Sequence, residues 1–276
     1  MLPAFLALCA VVAVAGCFKS SATPQTIVIT LPPSTPAPTA TPIAIAPTGA
    51  PGTTAGSPVD ASLPTVSTTN VTDVAGDGRW KVTFKMPVVA GAGAGVSAAK
   101  AMNDTIKTRV NAYIVSFNGA GLPVVGPGEA PSTLAGDYSV AYTSATLLSL
   151  RFAVSTDITG AAPPTTEAGS INFDVASGAA IQLMDIFTSP GEALPVLQTQ
   201  AHAKLTALLG AGLSWPASST MSDFGGAWAF TGGGLELSWS QGHIAKPAAG
   251  TPRITIPWAA LKSVIAKPGP AAGFVP

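Results

Sequence analysis

The stretch YSVAYTSATLLSLRFAV (138–154) decides the fold of this chain. Tyr138, Val140 and Tyr142 alternate with small or polar residues, and Leu148, Leu150, Phe152 and Val154 do the same after a short link. Alternation at every second residue predicts β-strands with one buried face. Because the link is short, the two strands should pair as an antiparallel hairpin.

The same kind of pattern extends on both sides of this hairpin. Strands are predicted around 80–86, 171–175, 228–230, 235–239 and 253–256, and helices over 97–117, 192–209 and 258–265. The helices carry apolar residues at helical spacing, as a helix packed on a sheet requires. The predicted fold class is α+β, with a mostly antiparallel sheet and helices packed on one face, in a single domain over 77–267 followed by a tail over 268–276.

The first residues, MLPAFLALCAVVAVAGC (1–17), have the features of a lipoprotein signal peptide. The apolar run is shorter than the roughly 20 residues of a spanning helix, and small residues precede Cys17. We therefore predict a signal peptide over 1–16, cleavage between Gly16 and Cys17, and a lipid on Cys17 that anchors the protein at the extracytoplasmic face of the membrane. No Lys or Arg precedes the apolar run, so an ordinary secreted protein is the alternative.

Residues 17–76 are rich in Thr, Pro, Ala, Ser and Gly. Such a composition offers little apolar surface to offset the entropy of ordering the backbone, and frequent prolines favour extended conformations. We predict that this segment is a disordered tether between the lipidated Cys17 and the domain.

Composition limits the chemistry that the domain can perform. The only cysteines are Cys9, which leaves with the signal peptide, and Cys17, so the mature chain has no thiol for a disulfide, a thiolate metal site or a nucleophile. The 13 basic and 13 acidic residues balance, which gives no electrostatic footprint for nucleic acid. No nucleic-acid partner and no cofactor are expected.

No motif in the sequence predicts a catalytic or metal site. The GAGAG run (91–95) has Val96 where a dinucleotide fingerprint needs its third glycine, so it is interpreted as a flexible loop. His202 and His243 lack a second ligand at metal-binding spacing. We therefore predict no catalytic residue and no metal ligand.

Two long segments carry a resemblance to a bacterial family. Residues 138–187, with LLSLRF, NFD and LMDIF in that order, and residues 234–261, with GLELSW and the sequence TPRITIPW, resemble the RsiV-like C-terminal domain. That family includes the ectodomain of a lysozyme-sensing anti-sigma factor and is similar to a secreted mycobacterial immunogenic protein family. Residues 79–118 resemble the companion module found ahead of peptidoglycan deacetylase domains. The resemblance implies an α+β fold and a location outside the cytoplasm.

The leading hypothesis from the sequence is a non-enzymatic module that binds a protein, including a lysozyme-type protein, or an envelope glycan. The ligand is expected on two Pro- and Gly-rich loops, 157–169 and 240–252, because recognition concentrates on loops held by a rigid sheet. The predicted ligand-binding residues are Asp157, Thr159, Gly160, Pro163, Pro164, Thr165, His243, Lys246 and Pro247. Two alternatives stay open: a hydrolase or accessory factor that acts on envelope polymers, and a structural or secreted immunogenic protein.

Overall fold

The computed structural model describes residues 63–91, 95–161, 163–215 and 220–275. The predicted signal peptide, Cys17 and most of the predicted tether lie outside these residues. The strands are β1 (Thr65–Val74), β2 (Trp80–Ala90), β3 (Ser132–Thr143), β4 (Leu147–Asp157), β5 (Thr165–Asp174), β6 (Ala180–Ile181), β7 (Trp228–Thr231), β8 (Gly234–Ser238) and β9 (Arg253–Pro257). The helices are α1 (Gly95–Asn118), α2 (Pro190–Leu209), α3 (Ser222–Gly225) and α4 (Trp258–Leu261). None of the helices in the described part is long and apolar enough to cross a membrane.

Strands β1 to β6 form one sheet in chain order. Neighbouring strands are antiparallel except β2 and β3, which run parallel because α1 crosses over the sheet between them. Helix α1 buries Met102, Ile106 and Val110 against one face of this sheet, where they meet Phe84 of β2 and Phe152 of β4. This face and α1 enclose the first hydrophobic cluster.

A glycine in β3 allows the close packing of this cluster. The ring of Phe84 lies directly against Gly136, so that a Cβ on Gly136 would overlap the ring. Phe84 itself is buried beside Tyr113 and Phe152, with its ring centroid 6.1 Å and 6.3 Å from theirs. The ring therefore has little room to move away from an added methyl group.

Strands β7, β8 and β9 form a second, antiparallel sheet. Phe230, Leu235 and Ile256 of this sheet are buried with Leu197 and Leu205 of α2 in a second hydrophobic cluster. Leu147 of β4 belongs to this second cluster, whereas Leu148 belongs to the first. Adjacent residues of a strand point to opposite faces of a sheet. The second sheet therefore packs on the face of the six-stranded sheet that is opposite to the face covered by α1.

A set of buried hydrogen bonds made by Ser149 and Asn172, which we call the polar joint, connects the two sheets. The Ser149 hydroxyl donates to the Asn172 side-chain oxygen and accepts a hydrogen bond from the Phe230 amide at 3.1 Å. The Asn172 Nδ2 donates to the Trp228 carbonyl at 2.9 Å. Ser149 and Asn172 are almost fully buried, so these bonds satisfy groups that water does not reach.

An ion pair lies next to this joint. Arg151 of β4 meets Glu236 of β8, with Nη2 donating to Oε2 at 2.7 Å. The Arg151 Nε to Glu236 Oε1 contact, 2.5 Å, is close enough for an ion pair, although its angle is not that of a hydrogen bond. Arg253 of β9 approaches the same carboxylate at 3.4 Å. The joint and the ion pair together link β4 and β5 to the second sheet.

The structure confirms the α+β class and the mostly antiparallel pairing, and it corrects both predicted domain boundaries. Residues 65–74, assigned to the tether, form β1 and pair with β2 along ten residue positions. The segment contains no proline, and its Thr and Val residues are β-branched, which favours a strand over a coil. In the predicted tail, Ala271 and Val275 are buried and Phe274 stacks on Trp258, because this segment covers the second cluster.

Candidate functional site

The first loop was predicted over 157–169, but only residues 158–164 connect β4 to β5, because Asp157 ends β4 and residues 165–169 belong to β5. Thr159 is fixed by three hydrogen bonds: its amide donates to the Ser132 hydroxyl at 3.1 Å, its own hydroxyl donates to the Ala130 carbonyl at 2.7 Å, and it accepts from the Ser132 hydroxyl at 3.4 Å. Gly160 has φ of 73°, and the next amide donates to the Ile158 carbonyl at 3.0 Å, which closes a turn. Thr159 and Gly160 therefore shape the loop. The exposed predicted residues are Asp157, Gly160, Pro163, Pro164 and Thr165.

The second predicted loop, residues 240–252, joins β8 to β9 and is anchored at its centre. Ile244 and Ala245 are buried, and the Ile244 carbonyl accepts a hydrogen bond from the Ser214 amide at 2.8 Å. A short 3₁₀ helix follows over Pro247–Ala249. His243, Lys246 and Pro247 remain exposed around this anchor.

Gln241 brings the two loops together. Its amide donates to the Thr166 carbonyl at 2.9 Å, and its side-chain oxygen accepts from the Thr166 amide at 2.9 Å. Its Nε2 donates to the Pro247 carbonyl at 3.0 Å, and the neighbouring Ser240 hydroxyl accepts from the Ala168 amide at 3.1 Å. Gln241 thus pairs with Thr166 of β5 and fixes the second loop at the same time. We call the predicted residues of the two loops that have exposed side chains the loop surface: Asp157, Pro163, Pro164, Thr165, His243, Lys246 and Pro247.

The sequence did not identify Gln241 as part of this site. A glutamine in a loop is compatible with full solvent exposure, and its partner Thr166 is distant in sequence. The nearby Gly242, with φ of 80°, indicates a turn at this point, but nothing in the local sequence indicates which strand the turn contacts. The contact depends on where the second sheet lies on the first.

The groups with clearly shifted pKa values lie outside the loop surface. A hydrogen bond from Lys85 at 2.8 Å holds the pKa of Asp137 below its ordinary value. Burial raises the pKa of Tyr113, and the Glu167 carboxylate adds to that rise. His202 is exposed on α2, with its ring 6.3 Å from that of Trp215. Among the described residues, no three His, Cys, Asp or Glu side chains are close enough together to hold a metal ion.

The GAGAG run is described only at its two ends. Gly91 and Gly95 both have positive φ, 118° and 58°, and α1 begins at Gly95. Residues 92–94, the centre of the predicted flexible loop, lie outside the described residues.

Comparison with known proteins finds similarity in structure but not in sequence. No family model matches the sequence, and no curated protein matches it. A DUF3298 family protein from Pseudomonas aeruginosa PAO1 superposes with a TM-score of 0.53 at 17% identity, covering 75% of this chain and 96% of that one. The chain shares the fold of that DUF3298 protein. A second DUF3298 family member, from Bacteroides fragilis NCTC 9343, matches with a TM-score of 0.49 at 17% identity, over 78% of this chain and 98% of that one.

This likeness fits the RsiV-like fold at a coarse level and concerns the fold only. The segments that carry the sequence resemblance have a structural role in this chain. Ser149 and Arg151 lie in LLSLRF, Asn172 lies in NFD, and Glu236 lies in GLELSW, and all four belong to the connection between the sheets. These segments therefore connect the two sheets that carry the loops, and they do not form the loop surface itself.

Proposed function

We propose that this protein is a cell-surface lipoprotein, anchored through Cys17, whose RsiV-like domain binds a protein or an envelope glycan through the loop surface without catalysing a reaction. The observation that carries the proposal is the pair of hydrogen bonds between Gln241 and Thr166, 2.9 Å each. Through them, two Pro- and Gly-rich loops from different sheets are held beside each other in fixed positions. A preorganised surface of this kind loses little entropy when it binds.

The loop surface suits contact with a large ligand. Its exposed side chains include Pro163, Pro164 and Pro247, whose rings are apolar and conformationally restricted, beside the cationic Lys246 and the imidazole of His243. Rigid apolar contacts with a few polar groups at their rim are typical of protein interfaces. A lysozyme-type protein is the first ligand to test, because the resembling family includes a lysozyme-sensing ectodomain.

Binding is tested by retention of lysozyme, and separately of soluble cell-wall fragments, on the immobilised full chain. We expect retention of at least one of them, and we expect the double variant His243→Ala, Lys246→Ala to weaken it about tenfold. Lys262→Ala removes another exposed cation, one that lies outside the loops, and should change nothing. If the full chain retains neither ligand more strongly than a chain ending at residue 62, the proposal is wrong.

The variant Gln241→Ala tests the role of the loop arrangement. It removes the side-chain bonds to Thr166 and Pro247 but leaves every residue of the loop surface in place. We expect weaker retention together with unchanged far-UV circular dichroism. Unchanged retention would mean that the two loops do not act as one site.

The lipid anchor is tested by fractionation. Cys17→Ser removes the only thiol that remains after the predicted cleavage, so the protein should move from the membrane fraction to the soluble fraction. A variant that stays with the membrane as the unchanged chain does would exclude anchoring through Cys17.

A further inference from the structure

A cleft of about 680 Å³ lies beside the second hydrophobic cluster, between the β3–β4 turn and the segment 267–275. Its volume lies within the range of roughly 300–1,000 Å³ that is common for small-molecule sites. It shares no residue with the loop surface. We call it the aromatic cleft and define it by Tyr142, Ser144, Thr146, Asp174, Gly269 and Phe274.

One wall of the aromatic cleft consists of rings that the core holds in place. Phe274 stacks on Trp258 with ring centroids 4.5 Å apart and planes at 15°, and it meets Tyr142 edge to face at 5.2 Å. Trp258 is buried, and its indole Nε1 donates to the Thr231 carbonyl at 2.9 Å. Phe274 and Tyr142 are only half-buried, so the cleft presents apolar ring surface that is backed by the core.

The polar wall of the cleft, formed by Ser144, Thr146 and Asp174, offers hydrogen-bonding groups. Asp174 uses one oxygen, Oδ1, to accept from the Ser177 amide at 2.8 Å and the Ser177 hydroxyl at 2.6 Å. Its second oxygen, Oδ2, has no hydrogen-bond partner among the described residues. Thr146 is exposed, and its hydroxyl has one side-chain contact, with the Ser144 hydroxyl at 3.3 Å. The wall therefore carries a carboxylate acceptor beside two hydroxyls.

The cleft is shaped before any ligand binds. Lys267 Nζ donates to the Val275 carbonyl, which closes the segment 267–275 into a loop. Ala271 and Val275 within that loop are buried, and the amides of Ala272 and Phe274 donate to carbonyls inside it at 3.0 Å and 3.1 Å. Gly269 and Gly273 also line the cleft. Among the described residues, no lysine or arginine lines the cleft, so they offer no cation to an anionic ligand.

We propose that the aromatic cleft binds an uncharged saccharide chain. A sugar ring presents apolar C–H groups on its face and hydroxyls at its edge, which match the ring wall and the polar wall respectively. The carboxylate of Asp174 accepts hydrogen bonds from two neighbouring sugar hydroxyls, and the hydroxyl of Thr146 both donates and accepts. A site of this composition selects neutral glycans over phosphate- or sulfate-bearing ones.

The test uses the full chain and a panel of neutral oligosaccharides, namely tetrasaccharides of N-acetylglucosamine, of β-linked glucose and of α-linked glucose. Binding is followed by calorimetry and by the intrinsic tryptophan fluorescence, to which Trp258 contributes. We expect one member of the panel to bind with a Kd of about 1 mM or tighter. In an NMR spectrum, the amides of Gly269 and Gly273 should shift on addition of that sugar, whereas Gly242 in the second loop should not.

Two variants separate the two walls. Phe274→Leu removes the ring and should weaken binding about tenfold, and Asp174→Asn keeps the Oδ1 acceptor for Ser177 but removes the charge and should weaken it about fivefold. Asp185→Asn is the matched control, because Asp185 also accepts from a backbone amide, that of Gln182 at 2.7 Å, and lies outside the cleft. No binding by the whole panel at about 10 mM, shifts confined to other residues, or a proline-rich peptide that shifts Gly269 and Gly273 where the sugars do not would each overturn the proposal.

Discussion

The carboxylate of Glu236 is buried, and two arginines approach it from different sheets. Arg151 is mostly buried and makes the shorter contacts, whereas about half of the Arg253 side chain is exposed and its contact is 3.4 Å long. Burial removes hydration from both partners of the Arg151–Glu236 pair, and their mutual attraction compensates only while both are present. The pair should thus be sensitive to the loss of one partner and much less sensitive to the loss of both.

Arg151→Met tests this sensitivity. It leaves Glu236 buried with only the long contact to Arg253, so we expect the free energy of unfolding to fall by about 3–5 kcal/mol. The double variant Arg151→Met, Glu236→Leu should be more stable than Arg151→Met alone. Both are measured by urea unfolding. Lys85→Met, which breaks the exposed pair with Asp137, should cost about 0–1 kcal/mol. A loss of similar size in Lys85→Met and Arg151→Met would contradict the argument.

The buried phenol of Tyr113 makes the free energy of unfolding depend on pH in the alkaline range. Burial of its phenol raises the pKa above the ordinary value of 10.0, the Glu167 carboxylate adds to the rise, and Arg109 opposes it. In the folded protein Tyr113 therefore keeps its proton at a pH where the unfolded chain has lost it. The free energy of unfolding should be unaffected by this group below about pH 10 and should fall as the pH rises from about 10 toward the folded pKa.

The variant Tyr113→Phe isolates that contribution. Phenylalanine fills nearly the same volume without an ionisable group, so the decline in the free energy of unfolding above about pH 10 should be shallower than in the unchanged chain. Urea titrations at a series of alkaline pH values give the two slopes. Equal slopes would show that Tyr113 does not titrate differently in the folded and unfolded states.

Among the elements, β1 shows most clearly how composition can hide a strand. Its threonines resemble those of the preceding Thr- and Pro-rich segment, yet its backbone pairs with β2 along a ladder that begins at Thr65 and ends at Val74. Val66 and Val71 pack against the first hydrophobic cluster, and the Thr68 hydroxyl lies 2.8 Å from a hydroxyl of β3, that of Tyr138. These contacts make β1 a part of the sheet rather than of the predicted tether.

Removing β1 tests whether it belongs to the folded domain. A chain that begins at residue 77 loses this ladder and exposes the edge of β2, so it should unfold at a lower temperature and aggregate more readily than a chain that begins at residue 63. Thermal unfolding followed by circular dichroism, together with light scattering, measures both effects. Equal melting temperatures and equal scattering would place the start of the stable domain at residue 77 after all.

The sequence predicted the elements whose pattern is local. The β3–β4 hairpin, α1 and α2 follow from periodicity alone, because each buries one regular face. The division into two sheets was not predictable in this way. Ser149 and Arg151 alternate with Leu148 and Leu150 and therefore resemble a solvent-facing row, but they face the second sheet and have partners there.

The candidate site could likewise be predicted only in part from the sequence. The two loops were predicted from their proline and glycine content, and the structure brings their bases together at Thr166 and Gln241. That contact depends on the docking of one sheet on the other, which no local pattern encodes. The aromatic cleft likewise depends on Phe274, which lies in the segment interpreted as a tail.

At the scale of the whole molecule, the polar joint determines whether the two sheets unfold together. Each sheet has its own hydrophobic cluster, one with α1 and one with α2. Asn172 connects them, since its side chain contacts Ser149 within the first sheet and the Trp228 carbonyl in the second. Trp215, Trp228, Trp239 and Trp258 all lie in or against the second cluster, so tryptophan fluorescence reports mainly on that part.

We expect the two sheets of the unchanged chain to unfold in one transition, and Asn172→Ala should separate the unfolding of the second sheet from that of the first. It leaves the Trp228 carbonyl and the Ser149 hydroxyl without their partner, at about 1–3 kcal/mol for each buried group that stays unsatisfied. We expect the fluorescence transition to move to lower urea than the far-UV circular dichroism transition. Asn103→Ala is the matched control, because Asn103 bonds the Val89 amide and carbonyl, both at 2.9 Å, within the first cluster alone. If Asn172→Ala shifts both signals equally, the sheets are held as one cooperative unit by apolar burial and the polar joint does not couple them.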